Sequence, residues 1–96
     1  MPPIDQGTKN MILIFQKNEI TEHFIYEKLS GLEKSKHNQE VLKSISGDER
    51  RHYDIWKSFT GEEVKPNKLK IWWYVFIARI FGVTFGLQTF ERCFDF

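Results

Sequence analysis

The residues best suited to chemistry in this chain are Glu49 and His52, which form a Glu-x-x-His sequence. Residues three apart lie on the same face of a helix, so both side chains can reach one ion. Ile45 precedes them and Trp56 follows at helical spacing, so the pattern predicts that both groups point into the core. A buried carboxylate must be protonated, paired with a cation or bound to a metal, because an isolated buried charge is unstable.

A second set of acids, Glu19 and Glu22, follows the same pattern earlier in the chain. Glu19 shares an apolar stripe with Phe15 and Tyr26, and Glu22 lies one turn further on. Carboxylate oxygens and imidazole nitrogen are ligands suited to iron or manganese. Because the set contains no thiolate, neither a structural zinc site nor an iron–sulfur cluster is expected.

Each of these groups also has a more ordinary interpretation. Glu49 and His52 could be a solvated pair on a face that does not point into the core, or Glu49 could form a buried ion pair with Arg50 or Arg51, which follow it directly. The acids of the first segment could be surface residues in salt bridges, which contribute little to stability. The remaining histidines, His23 and His37, are expected to face solvent.

Three helical segments position these residues, and no segment alternates long enough to predict a strand. The segments cover about residues 8–32, 38–59 and 67–94, with Asn38 as the expected N-cap of the second. Thr60-Gly61 is a typical helix end, and Pro66 keeps the following linker from continuing the helix. The sequence therefore predicts a single all-α domain, 1–96, built as an antiparallel helical bundle.

The chain has more apolar material than a small monomer can readily bury. Of its 96 residues 41% are hydrophobic and 16% aromatic, including nine Phe and three Trp. A domain of this size buries a limited fraction of its surface. This composition predicts a dimer or larger oligomer, further sequence that covers the bundle, or contact with a membrane.

The charge, the cysteine content and the N-terminal sequence indicate which partners and which cellular location to expect. The net charge is only +1, whereas nucleic-acid binding normally requires a basic excess on one face, so no nucleic-acid partner is expected. A lone cysteine, Cys93, excludes an internal disulfide and suits a reducing compartment. The first residues lack the basic and apolar regions of a signal peptide, so a cytoplasmic location is expected, with membrane association as the alternative.

The membrane alternative depends on the third segment. From Ile71 to Phe90 the only formal charge is Arg79. Small residues at Ala78, Gly82 and Gly86 would permit close helix approach, as in membrane helices. A charge in the middle of the segment is unfavourable in lipid, so burial between subunits is the favoured interpretation.

The segments 18–26 (NEITEHFIY) and 47–56 (GDERRHYDIW) together resemble the rubrerythrin branch of the ferritin-like superfamily. In that family a ligand Glu is followed seven residues later by a Tyr, as Glu19 is by Tyr26. The family's Glu-x-x-His about thirty residues on matches Glu49 and His52. An acid of the family's third helix corresponds to Glu91, which continues a stripe through Trp73, Ile77, Ile80, Thr84 and Leu87. Residues 62–91 also resemble the rubrerythrin-like domains that are fused to membrane iron/manganese transporters.

The resemblance implies a ferritin-like bundle with three helices per chain and a site for two iron ions, with manganese as an alternative. The implied ligands are Glu19, Glu49, His52 and Glu91, with Glu22 as a weaker candidate. Tyr26 would hydrogen-bond a ligand carboxylate, with simple packing in the core as the alternative. The implied activity is oxidation of Fe(II) or reduction of peroxide; the alternatives are a non-catalytic metal-binding domain of a transporter and a metal-free interaction module.

The chain departs from the family pattern in one respect. Ferritin-like bundles of this kind contain a second Glu-x-x-His on a fourth helix, and this sequence contains one. Either further sequence supplies the second motif, or two copies of the chain share the site. A homodimer would provide two copies of Glu19, Glu49 and His52, which is a complete set of ligands.

Overall fold

The computed structural model describes residues 4–84 and 86–87. These residues form three helices, α1 (Gln6–Leu32), α2 (Lys36–Thr60) and α3 (Lys68–Phe81). The described part of the chain contains no strand, so the predicted all-α class is confirmed. Glu91 and Cys93 lie outside the described residues.

Each helix begins after a residue whose side chain accepts a hydrogen bond from the backbone N–H three positions on, and these N-caps are Asp5, Ser35 and Asn67. Such caps stabilise the first turn, where backbone donors lack helical partners. The predicted N-cap Asn38 is therefore wrong, because Ser35 starts α2 three residues earlier. The predicted end is confirmed, since Gly61 follows α2 with a left-handed φ of 68°.

The first two helices form an antiparallel hairpin that is linked by buried polar groups. Near one end, Thr60 Oγ1 donates to Gln16 Oε1 over 2.8 Å. The linker after α2 then returns along α1, and the backbone N–H of Asn67 donates to Thr21 Oγ1 over 2.9 Å. Because α3 starts beside Thr21, it packs along the C-terminal half of α1.

The hydrophobic core lies between that half of α1, the start of α2, and α3. Its members are large aliphatic side chains and one tyrosine, namely Ile25, Leu29, Leu42, Ile71, Tyr74, Val75, Ile77 and Ala78. None of these core residues belongs to the other half of the hairpin, which carries the Glu-x-x-His. Because the core covers only one half of the hairpin, the functional residues in the other half are more exposed to solvent.

The third helix is shorter than the sequence predicts. α3 ends at Phe81, where Gly82 adopts a φ of 96° that disfavours other residues. The chain then turns back, because a Cβ placed on Gly86 would lie 3.0 Å from the Cβ of Ala78. In a continuous helix residues eight apart would be separated by about 12 Å. The small residues thus allow a close approach within one chain, and no described helix is long and apolar enough to cross a membrane.

The predicted apolar stripe of α3 is also largely wrong. Of its described members Ile77 is buried, whereas Trp73 and Ile80 are more than half exposed. α3 packs instead through the face that contains Ile71 and Tyr74. A helix that is apolar on all sides gives no sequence signal for which face is buried.

Candidate metal centre

Three of the predicted ligands converge between α1 and α2. One ligand atom from each of Glu19, Glu49 and His52 lies within 4.8 Å of the others. His52 Nδ1 is 3.4 Å from Glu19 Oε2 and 3.9 Å from Glu49 Oε2. The convergence follows from two features of the fold, the three-residue spacing on α2 and the antiparallel pairing that places Glu19 opposite it.

The cluster lies at the surface of the hairpin. The side chains of Glu19 and Glu49 are 21% and 16% exposed, whereas that of His52 is 52% exposed. The prediction that His52 points into the core is therefore wrong. The reason is that α3 packs on the other half of α1 and leaves this face of the hairpin open. Beside the cluster is a cavity of about 290 Å³ that is lined by Glu19, His52, Ile55 and Trp56.

One carboxylate oxygen of the cluster is buried without a hydrogen bond from the part of the chain that the structure describes. Glu19 Oε2 is buried and makes no hydrogen bond to the described residues, although His52 Nδ1 lies 3.4 Å away. Native proteins rarely leave a buried polar atom unpaired, because it loses its hydration without compensation. An ion bound between the three side chains would satisfy this oxygen, so the residues fit a metal cation.

The carboxyls of the cluster perturb one another strongly. Burial, together with a hydrogen bond and repulsion from Glu49, raises the pKa of Glu19 to about 8 and that of Glu22 to about 9. Burial also acts to raise the pKa of Glu49, but hydrogen bonds from the other two carboxyls and the charge of His52 lower it on balance. Without a cation the cluster therefore retains protons near neutral pH.

Glu22 is thus in contact with the cluster through Glu49, although it is not among the three side chains that converge most closely. The charge of Lys70 at the start of α3 partly opposes the rise in the pKa of Glu22, which places that cation nearby. Its position is compatible with either a fourth ligand or a proton-bearing neighbour of Glu49. The prediction that Glu22 binds metal stays a prediction.

The arginines after Glu49 do not neutralise the cluster. Arg50 pairs with Asp54 at 3.6 Å, and Arg51 pairs with Asp48 on the same helix. All four side chains are at least about half exposed, so these are surface ion pairs. The buried Glu49–arginine pair that the sequence left open is not formed.

His23 is a functional neighbour that the sequence interpretation missed. Its side chain is only 14% exposed, so the prediction that it faces solvent is wrong. Nδ1 lies 2.8 Å from the carbonyl oxygen of Ser46 and 2.9 Å from its Oγ, and that Oγ is 2.9 Å from the carbonyl oxygen of His23. Because His23 lies four residues after Glu19 and Ser46 three before Glu49, this link fixes the two helices next to the cluster. The sequence did contain one indication of this link, because Ser46 is a polar residue one turn before Glu49 on the same face of α2.

The other predicted site residues have different outcomes. Tyr26 packs against the hydrophobic core and lines a cavity of about 260 Å³ with Leu42 and Ile45. Its proposed hydrogen bond to a ligand carboxylate stays a prediction. Glu91 lies outside the described residues, and His37 is exposed as predicted.

Comparison of the chain with protein-family models, with curated proteins and with solved structures finds no match. The ferritin-like resemblance therefore stays a prediction based on the residues themselves.

Proposed function

We propose that this chain is a carboxylate-rich metal-binding protein that holds iron, or alternatively manganese, through Glu19, Glu49 and His52. The observation that carries the proposal is the convergence of these side chains around a buried carboxylate oxygen that makes no hydrogen bond within the described part of the chain. Carboxylate and imidazole together favour iron and manganese over zinc sites built from thiolates. When bound, iron would supply redox chemistry, either oxidation of Fe(II) by oxygen or peroxide, or reduction of peroxide.

The electrostatics of the cluster support this proposal. Burial and mutual repulsion hold protons on Glu19 and Glu22 near neutral pH, and a divalent cation would take the place of those protons. The neutral imidazole of His52 would bind as a terminal ligand, while the carboxylates would balance the charge of the metal. Metal affinity should accordingly rise with pH.

We further propose that two copies of the chain share the site. One copy offers two close carboxylates and one imidazole, and two copies offer four carboxylates and two imidazoles, as in di-iron carboxylate bundles. The open face around the cluster has exposed apolar side chains at Phe15, Ile55 and Phe59. Such a patch beside half-exposed ligands is typical of a surface that a second copy covers.

Substitution of the ligands tests the metal site. Glu49→Ala and His52→Ala should each sharply lower the amount of Fe(II) or Mn(II) bound per chain, measured by calorimetry and metal analysis. Helical content should stay nearly unchanged, because both side chains are at the surface of the hairpin. Glu40→Ala, which alters an exposed acid of the same helix, is the matched control. Metal binding by both variants at the level of the parent would exclude these residues as ligands.

Mixing two variants tests whether the site is shared. If Glu19→Ala and Glu49→Ala chains form mixed dimers, each dimer keeps three of the four glutamates and should bind metal weakly. If each chain forms its own site, the mixture should bind no more than the average of the two variants. A monomer with full metal occupancy would contradict the shared site.

Two further measurements separate the alternatives. Absence of metal binding would favour a metal-free interaction module. If metal binds, development of oxygen-dependent colour after addition of Fe(II) would distinguish an oxidase from a binding or sensing domain of a metal transporter.

A further inference from the structure

A second surface of the molecule has no role in the metal site, and it lies on α3. Large apolar side chains that are each more than half exposed follow one another at helical spacing, at Leu69, Trp72, Trp73, Phe76 and Ile80. Intervals of three and four residues place them in a single stripe. The opposite face of α3 is buried against α1 through Ile71, Tyr74, Val75 and Ala78.

The charges that α3 itself contributes have one sign. Between Glu63 and Glu91 the sequence contains four cations and no acid. At 100° per residue, Lys68 and Arg79 fall along one edge of the stripe and Lys70 along the other. Lys65 lies just before the helix. The exposed apolar surface is therefore bordered by cations on both sides.

We propose that α3 binds the surface of an anionic lipid membrane, lying flat with the Leu69–Ile80 stripe in the interface. In this position an amphipathic helix buries its apolar face at the boundary of headgroups and acyl chains, while lysine and arginine reach the lipid phosphates. Tryptophan is enriched at that depth. A helix of 14 residues is about 21 Å long, which suits contact with a surface.

The distribution of charge favours lipid over a second copy of the chain. The apolar composition of the third segment alone predicts burial between subunits. In a contact between two copies of this stripe, however, cations on both edges would face other cations, and no acid of α3 could pair with them. An anionic membrane supplies the missing negative charge. This inference is independent of the proposed metal site.

The test uses the full chain and vesicles of phosphatidylcholine with about one third phosphatidylglycerol, compared with vesicles of phosphatidylcholine alone. The protein should float with the anionic vesicles and much less with the neutral ones. Trp72→Glu combined with Phe76→Glu should reduce binding at least about tenfold, because a charge replaces each of two interfacial aromatics. The matched control is Met11→Glu with Ile14→Glu, since these apolar side chains on α1 are equally exposed and lie outside the stripe.

A second variant isolates the charge. Lys68→Gln with Arg79→Gln should weaken binding to anionic vesicles roughly thirtyfold at low salt, because each cation near such a surface contributes about 1 kcal/mol, or about fivefold. Circular dichroism would confirm that every variant is folded. Failure of the parent to bind anionic vesicles, or equal binding to both kinds of vesicle, would overturn the proposal. So would a stripe variant that dissociates an oligomer and leaves vesicle binding unchanged, because the stripe would then be a subunit interface.

Discussion

The crowding of carboxyls beside His52 predicts that the metal-free protein loses stability as the pH rises. Burial, with hydrogen bonding and repulsion from Glu49, raises the pKa of Glu19 from 4.5 to about 8 and that of Glu22 to about 9. Below about pH 4.5 both groups are protonated in the folded and the unfolded chain, so their contribution to stability is complete there. As the pH rises toward 8, the folded chain keeps protons that the unfolded chain releases, and the free energy of unfolding falls.

The size of this effect follows from the same values. The interval from 4.5 to about 8 spans about 3.5 pH units for Glu19. Each unit over which the folded chain holds one additional proton lowers the free energy of unfolding by about 1.4 kcal/mol, which gives at most about 5 kcal/mol. Because water reaches the open side of the cluster and screens these charges, we expect about half of that, about 2–3 kcal/mol between pH 5 and pH 8. Small domains have total stabilities of about 5–15 kcal/mol, so the change is readily measured.

Urea unfolding followed by circular dichroism, in the presence of a chelator at pH 5, 6.5 and 8, measures this loss. With a denaturant slope of about 1–2 kcal/mol/M, the midpoint should fall by about 1–3 M over the range. Glu19→Gln combined with Glu22→Gln should remove most of the pH dependence, because an amide does not titrate. Glu40→Gln, at an exposed position on α2, should preserve it. If the parent and the double variant respond equally to pH, the carboxyls are not crowded and the reasoning is refuted.

Bound metal should counteract the loss of stability that the metal-free protein shows as the pH rises. A bound cation favours the ionised carboxylates, so saturating Mn(II) should stabilise the protein more at pH 8 than at pH 5. Mn(II) is the better probe here because it does not oxidise readily during the measurement. If the unfolding curves with Mn(II) and with chelator coincide at pH 8, the cluster does not bind this metal, even if the pH dependence itself is observed.

Two further predictions concern the elements that hold the site together. Ser46→Ala removes the buried hydroxyl that hydrogen-bonds His23, so it should lower the free energy of unfolding by about 1–3 kcal/mol and weaken metal binding. Ser46→Thr should retain both the stability and the metal affinity, and urea unfolding and calorimetry would measure the two effects. Unchanged metal affinity in a destabilised Ser46→Ala protein would contradict a positioning role. Gly86→Ala should destabilise the chain by about 1 kcal/mol or more, because the added Cβ would lie 3.0 Å from the Cβ of Ala78. Gly31→Ala places a Cβ in open space near the end of α1, so it should stabilise the chain by about 0.5–1 kcal/mol. Equal thermal shifts for the two glycine variants would show that the turn after α3 is not closely packed.

Helix boundaries were predictable where the sequence contains a chemical stop signal and unpredictable where it does not. Gly61 is followed by a polar segment that contains Pro66, so the end of α2 could be predicted within a residue. Gly82 lies between apolar residues on both sides, and a glycine inside an apolar helix pattern does not by itself indicate a break. The reversal after α3 depends on the contact between Gly86 and Ala78, which is a tertiary property.

The site was predictable in composition but not in exposure. The spacing of Glu49 and His52 and the antiparallel hairpin suffice to bring Glu19 to them, and all three could be selected from the sequence. Their burial could not be predicted, because it depends on where α3 packs. Since α3 covers the C-terminal half of α1, the apolar stripe of α2 is buried near Leu42 and open near His52.

The net charge of +1 is the sum of an acidic part and a basic part of the chain, and each part contains one of the two proposed binding surfaces. Residues 4–63 contain 11 acids and nine basic residues, whereas residues 64–87 contain four cations and no acid. The acidic hairpin is thus the part of the chain that would attract metal cations, and the basic α3 is the part that would attract anionic lipid. Lys70 belongs to both regions, because it borders the apolar stripe and its charge lowers the pKa of Glu22.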